Sequence, residues 1–176
     1  MGESATPLIA DANVLIDYVN CDVSILALLA QHAGPLYVST PVLEKVEGLD
    51  SSECERLGLV VIEPTLEQLL EAGQARGRLA FDDRVCLILA RDRAWRCVTN
   101  DKALRRACAD EGITVCWGLE IMLSLVEQAV LAVEDALGVA ASIQVANSAF
   151  IAEAILHEFE HKAHEAARRA VRRGGK

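Results

Sequence analysis

Short, evenly apolar segments alternate with longer segments of helical periodicity from the start of the chain to Gly118. Five of the apolar segments are predicted strands: Pro7 to Ala10, Leu36 to Ser39, Leu59 to Ile62, Arg96 to Thr99 and Thr114 to Cys116. Each is too short and too uniformly apolar for a strand with one face in water. The alternation therefore predicts an α/β fold with three layers, in which helices cover both faces of a short, mostly parallel sheet.

The segments between the predicted strands have the residues expected at helix ends, including glycines that follow several of them. The predicted helices are Val23 to His32, Pro41 to Val46, Leu66 to Ala75, Asp83 to Arg93 and Lys102 to Glu111. After Gly118 every periodic segment is helix-like, namely Leu119 to Leu131, Val133 to Leu137 and Ser148 to Val171. We therefore expect an α/β domain over residues 1–132 and a helical C-terminal extension over residues 133–176.

The charge balance limits the kinds of partner that the chain can bind. It has 17 Lys and Arg residues against 26 Asp and Glu residues, a net charge of −9, which disfavours a protein that holds duplex DNA through many phosphate contacts. Only 4% of its residues are aromatic, which argues against a stacking platform for single-stranded bases. We find neither a signal-peptide pattern nor a membrane-length apolar run, so a cytoplasmic protein is expected.

Six cysteines occur without any CxxC spacing, and most lie in apolar segments. This distribution favours reduced, buried thiols over a disulfide scaffold or a zinc ribbon.

Four carboxylates stand close to the ends of predicted strands. Asp11 directly follows the first strand, Glu44 lies in the helix after the second, Asp83 begins an apolar helix and Asp101 follows the fourth strand. Ligands of open α/β sheets bind beyond the carboxyl ends of the strands, so we expect these side chains to converge. Carboxylates that lie close together repel one another unless a cation neutralises them. The pattern therefore predicts bound Mg²⁺ or Mn²⁺ and metal-assisted phosphodiester hydrolysis.

Four segments resemble the acidic motifs of the PIN-domain ribonucleases, a family that includes VapC-type toxins: LIADANVLIDYV, VSTPVLEKVEG, LAFDDRVCLILA and CVTNDKALRRACADEGI. The resemblance covers roughly residues 7 to 125, and all four motifs match in order and character. It implies a PIN-like fold and an endoribonuclease that depends on Mg²⁺ or Mn²⁺. The catalytic and metal-binding residues that it implies are Asp11, Glu44, Asp83 and Asp101. Thr99 would be the hydroxyl residue that helps to orient the last acid.

The resemblance also implies the partners of such an enzyme. These are an RNA substrate, a cognate antitoxin protein of a toxin–antitoxin pair, and a second copy of the chain in a homodimer. The net charge of −9 suits a basic partner that covers an acidic groove. The alternative hypothesis is a catalytically silent PIN-like module that binds a protein or an RNA.

Four polar residues near these motifs leave alternatives open. Asp82 and Asp83 are adjacent and only one can point into the site; Asp83 is preferred because in similar proteins the acid directly precedes the apolar helix. Asn13 could bond to Asp11 or cap the helix that follows. Asp17 is expected to be a solvated residue on the first helix.

Two other α/β classes fit the acids less well. A receiver domain has a phosphorylated Asp after its third strand, whereas here Glu63 follows that strand. A haloacid-dehalogenase-type phosphatase needs a second Asp in its DxDx motif, and Asn13 stands in that place.

A formal zinc motif, HExxH, occurs at residues 157–161, with His164 close behind. The apolar residues of the same segment recur at helical spacing, which places the histidines on the opposite, polar face. The apolar stripe consists of Ile151, Ile155, Phe159 and Ala163. A zinc protease also needs a third ligand from a following element, and only a short arginine-rich tail remains. We therefore expect this segment to pack on the domain or on a second subunit rather than to catalyse a reaction.

Overall fold

The computed structural model describes residues 6–74 and 77–174, and five strands in them form one all-parallel sheet in the order β3-β2-β1-β4-β5. The strands are β1 (Leu8–Ala10), β2 (Leu36–Ser39), β3 (Val60–Ile62), β4 (Arg96–Val98) and β5 (Val115–Cys116). Each lies within the predicted range, shortened by at most one residue at an end. Helices pack on both faces of the sheet, so the predicted three-layer α/β architecture with C-terminal helices is confirmed.

Ten helices connect and follow the strands in the described part of the chain. They are α1 (Ala12–Cys21), α2 (Ser24–His32), α3 (Thr40–Leu43), α4 (Ser51–Leu57), α5 (Leu66–Gln74), α6 (Phe81–Arg93), α7 (Lys102–Asp110), α8 (Ile121–Glu127), α9 (Val133–Ala146) and α10 (Glu153–Gly174). The predicted end of α5 at Ala75 lies outside the described residues. Helices α5, α6 and α7 cover one face of the sheet, and α1, α2, α4, α8, α9 and α10 cover the other.

Successive residues of each strand enter different cores. In β1, Leu8 and Ala10 pack with α1 and α2, while Ile9 packs with α6 and α7. In β4, Val98 packs in the same core as Leu8 and Ala10, while Cys97 packs in the same core as Ile9. A strand buried on both faces has no polar side, which explains why the strand sequences are evenly apolar rather than alternating.

Helices α3 and α4 are among those that differ from their sequence predictions. Helix α4 was not predicted, because it buries only Cys54 and Leu57 and so has little apolar periodicity. Its ends are nevertheless well marked: the Asp50 carboxylate accepts a hydrogen bond from the Glu53 N–H at 2.8 Å, and Gly58 ends the helix with φ of +75°. Helix α3 is shorter than predicted and ends at Leu43.

The C-terminal helices share the main core of the sheet domain. Helix α10 packs on α8 and α9, and its residues Phe159, Ala163 and Ala166 are buried together with Ile151 just before it. The expectation that this segment packs on the domain is thus met within one chain. His157 and His161 are exposed on the opposite face of α10.

All six cysteines are free thiols, and five of them are buried. No single helix in the described ranges is long and apolar enough to cross a membrane; α1 and α2 meet that criterion only as a pair, and they are bent by 118°.

Candidate active site at the carboxyl edge of the sheet

The carboxyl ends of β1 and β4 lie side by side where the order of the strands reverses. The chain leads outward from β1 through β2 to β3 and then returns to β4 on the other side of β1. Backbone pairing continues one residue past both strands, since the Asp11 N–H donates to the Val98 carbonyl and the Thr99 N–H to the Cys116 carbonyl, both at 3.1 Å. Open parallel sheets bind their ligands in the crevice at such a reversal.

Asp11 is fully buried at this crevice and caps α1. One carboxylate oxygen, Oδ1, accepts a hydrogen bond from the Val14 N–H at 2.8 Å, and the other, Oδ2, accepts one from the Thr99 hydroxyl. The carboxylate is therefore held in one orientation by a helix N-terminus and by the neighbouring strand.

Thr99 connects Asp11 to a second carboxylate. Its Oγ1 donates to Asp11 and accepts a hydrogen bond from the Asp101 N–H at 3.0 Å. The Asp101 side chain in turn caps α7 by accepting from the Leu104 N–H at 2.7 Å. Thr99 thus helps to fix the position of both Asp11 and Asp101.

Asp83, in the first turn of α6, is the third carboxylate at this edge. The pKa of Asp83 is raised to about 6, chiefly by burial and also by the charges of Asp82 and Asp101, while a hydrogen bond from the Ala80 backbone and the charge of Lys45 oppose the shift. Asp82 is turned away from this edge, because its buried carboxylate forms an ion pair with the Lys45 ammonium group at 2.5 Å. Of the two adjacent acids, Asp83 is the one whose charge acts on Asp11.

The three carboxylates Asp11, Asp83 and Asp101 form what we call the carboxylate edge. Desolvation raises the pKa of Asp11 to about 7, and the charges of Asp83 and Asp101 add to that shift against the hydrogen bonds from Thr99 and Val14. A buried acid with two acidic neighbours stores unfavourable electrostatic energy that a bound cation would relieve.

Glu44 does not lie among these three residues. It is exposed just after α3 and lines a neighbouring groove of about 480 Å³ together with Lys45, Asp82 and Glu63. The structure therefore brings together three of the four predicted acids, and the short α3 places the fourth at the side of the site.

Ser39 is a residue of this edge that the sequence analysis did not single out. The β1–β2 pairing sets Ile9 opposite Tyr37, so Ser39 lies level with Asp11 and on the same side of the sheet. Its side chain is fully buried, and its Oγ has no hydrogen-bond partner among the described residues. A buried hydroxyl without a partner indicates room for a polar ligand atom or a water. The sequence signal that could have identified Ser39 is its position at the end of an apolar strand, which it shares with Asp11.

The expectation that Asp17 is solvated is wrong. Asp17 is buried because the end of α9 covers it, and its Oδ1 accepts a hydrogen bond from the Asn147 side chain at 2.8 Å. Burial raises the pKa of Asp17, while the amides of Asn147 and Asn100 oppose the shift. Asn13 lies beside Asp17 at a separate small cavity, and the hydrogen bonds to Asp11 come from Val14 and Thr99 instead.

The donors at the carboxylate edge suit a hard cation. Within residues 6–74 and 77–174, no group of three or more His, Cys, Asp or Glu side chains is placed to hold a metal ion. Mg²⁺, however, is usually bound by one or two carboxylates together with waters and substrate phosphates. The carboxylate oxygens and the unpartnered Ser39 hydroxyl fit that kind of site.

No protein-family model, no curated protein and no solved structure matches this chain.

The buried acids predict how stability depends on pH in the metal-free protein. Unfolded, Asp11 ionises near pH 3.8, whereas in the folded state it keeps its proton to about pH 7. The folded state therefore binds more protons in this window, and the free energy of unfolding should fall as the pH rises from about 4 to 7. Thermal melts in EDTA at pH 5 and pH 7.5 measure this. Asp11→Asn should reduce the dependence of the melting temperature on pH, whereas Asp110→Asn, at an exposed position, should leave it unchanged. A wild-type melting temperature that rises with pH would contradict the assignment.

Proposed function

We propose that the protein is a metal-dependent ribonuclease of the PIN-like type, which hydrolyses RNA phosphodiesters at the carboxylate edge. One observation carries the proposal: a fully buried Asp11 lies beside Asp83 and Asp101 at the reversal of strand order, where open sheets bind ligands. The four acidic motifs that resemble PIN-domain ribonucleases supply the substrate class, RNA rather than DNA.

The roles of the residues follow from their contacts. Asp11 and Asp101 would hold Mg²⁺ or Mn²⁺, with Asp83 beside them, and Glu44 would act from the neighbouring groove. Bound there, the ion would polarise the phosphodiester and lower the pKa of the attacking water. Thr99 fixes the Asp11 carboxylate relative to the Asp101 backbone through its two hydrogen bonds. This chemistry requires no protein nucleophile.

The biological setting is proposed on the resemblance and on charge. A cytoplasmic toxin that a cognate antitoxin inhibits, and that forms a homodimer, would fit the family that the motifs resemble. The net charge of −9 would favour a basic inhibitor over the site.

Cleavage assays test the proposal against the alternative of a silent binding module. Purified protein is incubated with single-stranded and structured RNA, in EDTA and with added Mn²⁺ or Mg²⁺. We expect endonucleolytic products only with the metal. Binding of RNA without cleavage under every metal condition would support the binding module instead.

Metal binding should also stabilise the fold. A ligand that binds only the native state at 100 times its Kd adds about 2.7 kcal/mol, which for a chain of this size corresponds to a rise in melting temperature of roughly 5–10 °C. Mn²⁺ should give this rise, EDTA should reverse it, and a His157→Ala, His161→Ala double variant should retain it. Stoichiometric, EDTA-resistant zinc that is lost in the double variant would instead place the metal on α10.

A further inference from the structure

Arg105 lies one helical turn after Asp101 on α7, and its guanidinium group stacks on an aromatic ring. The guanidinium carbon is 3.7 Å from the centroid of the Trp117 ring, which is a close cation–π contact. Such a contact holds a long side chain in one position without neutralising its charge.

The charge of Arg105 has no carboxylate partner in the described part of the chain. Other cations do have one: Arg91 pairs with Glu71, Lys162 with Glu120 and Arg173 with Glu127. Asp101 precedes Arg105 by four residues, a spacing that favours an ion pair, but the Asp101 carboxylate caps α7 instead. In a chain with 26 acidic residues and 17 basic ones, a positioned arginine without an acidic partner is available to an external anion.

Trp117 is itself fixed relative to the carboxylate edge. The next residue, Gly118, donates its N–H to the Asn100 side chain at 2.9 Å, and its carbonyl accepts a hydrogen bond from the Tyr18 hydroxyl at 2.7 Å. A Cβ at Gly118 would lie 2.6 Å from the Asn100 amide nitrogen, so only glycine allows this close approach. Because Asn100 directly precedes Asp101, these contacts tie the loop that carries Trp117 to the edge.

The C-terminal helices support the same ring. Trp117 borders a small cavity of about 60 Å³ with Ile155 and Phe159 of α10. Helix α10 thus lies next to Trp117, and the Trp117 ring contacts the Arg105 guanidinium group.

We propose that Arg105 binds a phosphate of the RNA strand next to the phosphodiester at the carboxylate edge, and that Trp117 is the positioning residue for it. The planar guanidinium group can donate two parallel hydrogen bonds to two phosphate oxygens, whereas a lysine ammonium group lacks this geometry. This inference rests on the proposed ribonuclease function, for which it supplies a contact to the substrate backbone.

The test compares Arg105→Ala with Arg106→Ala, because Arg106 is its exposed neighbour and its removal changes the net charge equally. Cleavage of a labelled single-stranded RNA is followed with saturating Mn²⁺, and binding of the same RNA is followed by fluorescence anisotropy in EDTA at several salt concentrations. Arg105→Ala should raise KM by about 10-fold or more with little change in kcat, as expected for loss of a charge-assisted contact. It should also reduce the slope of log K against log salt by about 0.7, the value for one phosphate contact to a single strand.

Three further variants separate binding from folding. Arg106→Ala should change KM less than about 2-fold and should leave the slope intact. Arg105→Lys should keep the slope but lose affinity, because the charge remains and the fork is lost. Trp117→Ala should raise KM, and Trp117→Phe should restore much of it, because a benzene ring still accepts the cation.

The outcomes distinguish this inference from the ribonuclease proposal. If the parent protein cleaves RNA and Arg105→Ala behaves like Arg106→Ala in KM and slope, the phosphate contact is wrong and the nuclease assignment stands. If the parent binds RNA without cleaving it and only Arg105→Ala lowers the slope of log K against log salt, the contact stands and the nuclease assignment fails. A parent protein that neither binds nor cleaves RNA overturns both.

Discussion

Replacing Asp11 with asparagine should abolish metal-dependent RNA cleavage and leave the fold intact. The amide has nearly the same shape and can still accept the hydrogen bond from the Val14 N–H, so the cap of α1 survives. It removes a negative charge from the metal site, and the loss of several kcal/mol of transition-state stabilisation corresponds to a rate reduced by about 100-fold or more. Initial rates at saturating Mn²⁺, with circular dichroism to check the fold, measure the effect.

Asp101→Asn should have the same effect through the same site, since Thr99 connects the Asp11 carboxylate to the Asp101 backbone N–H. The matched control is Asp110→Asn, at the far end of α7, where the side chain is exposed and the rate should stay at the parental value. Parental rates in both Asp11→Asn and Asp101→Asn, with the metal at saturation, would remove these residues from the catalytic assignment.

Phe159→Ala should destabilise the protein by about 3–5 kcal/mol, the range for removing a buried phenylalanine side chain. Phe159 is 2% exposed in the core that α10 shares with the sheet domain, so its loss leaves a cavity rather than an open surface. The control is Phe150→Ala, because Phe150 is 41% exposed just before α10, and we expect a change below about 1 kcal/mol. Urea unfolding gives both values; equal losses would mean that the C-terminal helices contribute little to the core.

The sequence predicted the sheet well because its strands are buried on both faces. A segment such as Leu36 to Ser39 has no polar alternation, and a parallel strand covered by two helical layers is the simplest fold for it. Helix α4 was not predicted because its sequence lacks apolar periodicity and is marked as a helix only by its capping residues, Asp50 and Gly58. Helix α9 runs on to Ala146, well beyond the predicted Leu137, because tertiary packing of Ala140 and Ile143 extends a weakly patterned segment.

At the carboxylate edge, the sequence indicated which residues are present, but it did not indicate which residues they contact. Asp11 and Asp101 could be found because Asp11 directly follows β1 and Asp101 lies three residues after the end of β4. That Asp82 pairs with Lys45 depends on contacts 37 residues apart, which a single sequence does not reveal. The burial of Asp17 depends in the same way on Asn147, 130 residues away. The stacking of Arg105 on Trp117 was missed for the same reason.

The central position of β1 also determines when the carboxylate edge can form during synthesis. Asp11 leaves the ribosome before its hydrogen-bond partner Thr99, which follows 88 residues later. At about 5–20 residues per second, several seconds separate the two, and contacts so far apart in sequence also form slowly. A nascent chain that has made β1, β2 and β3 has a sheet without β4 and therefore no paired Asp11. The edge is thus assembled only after β4 has been translated.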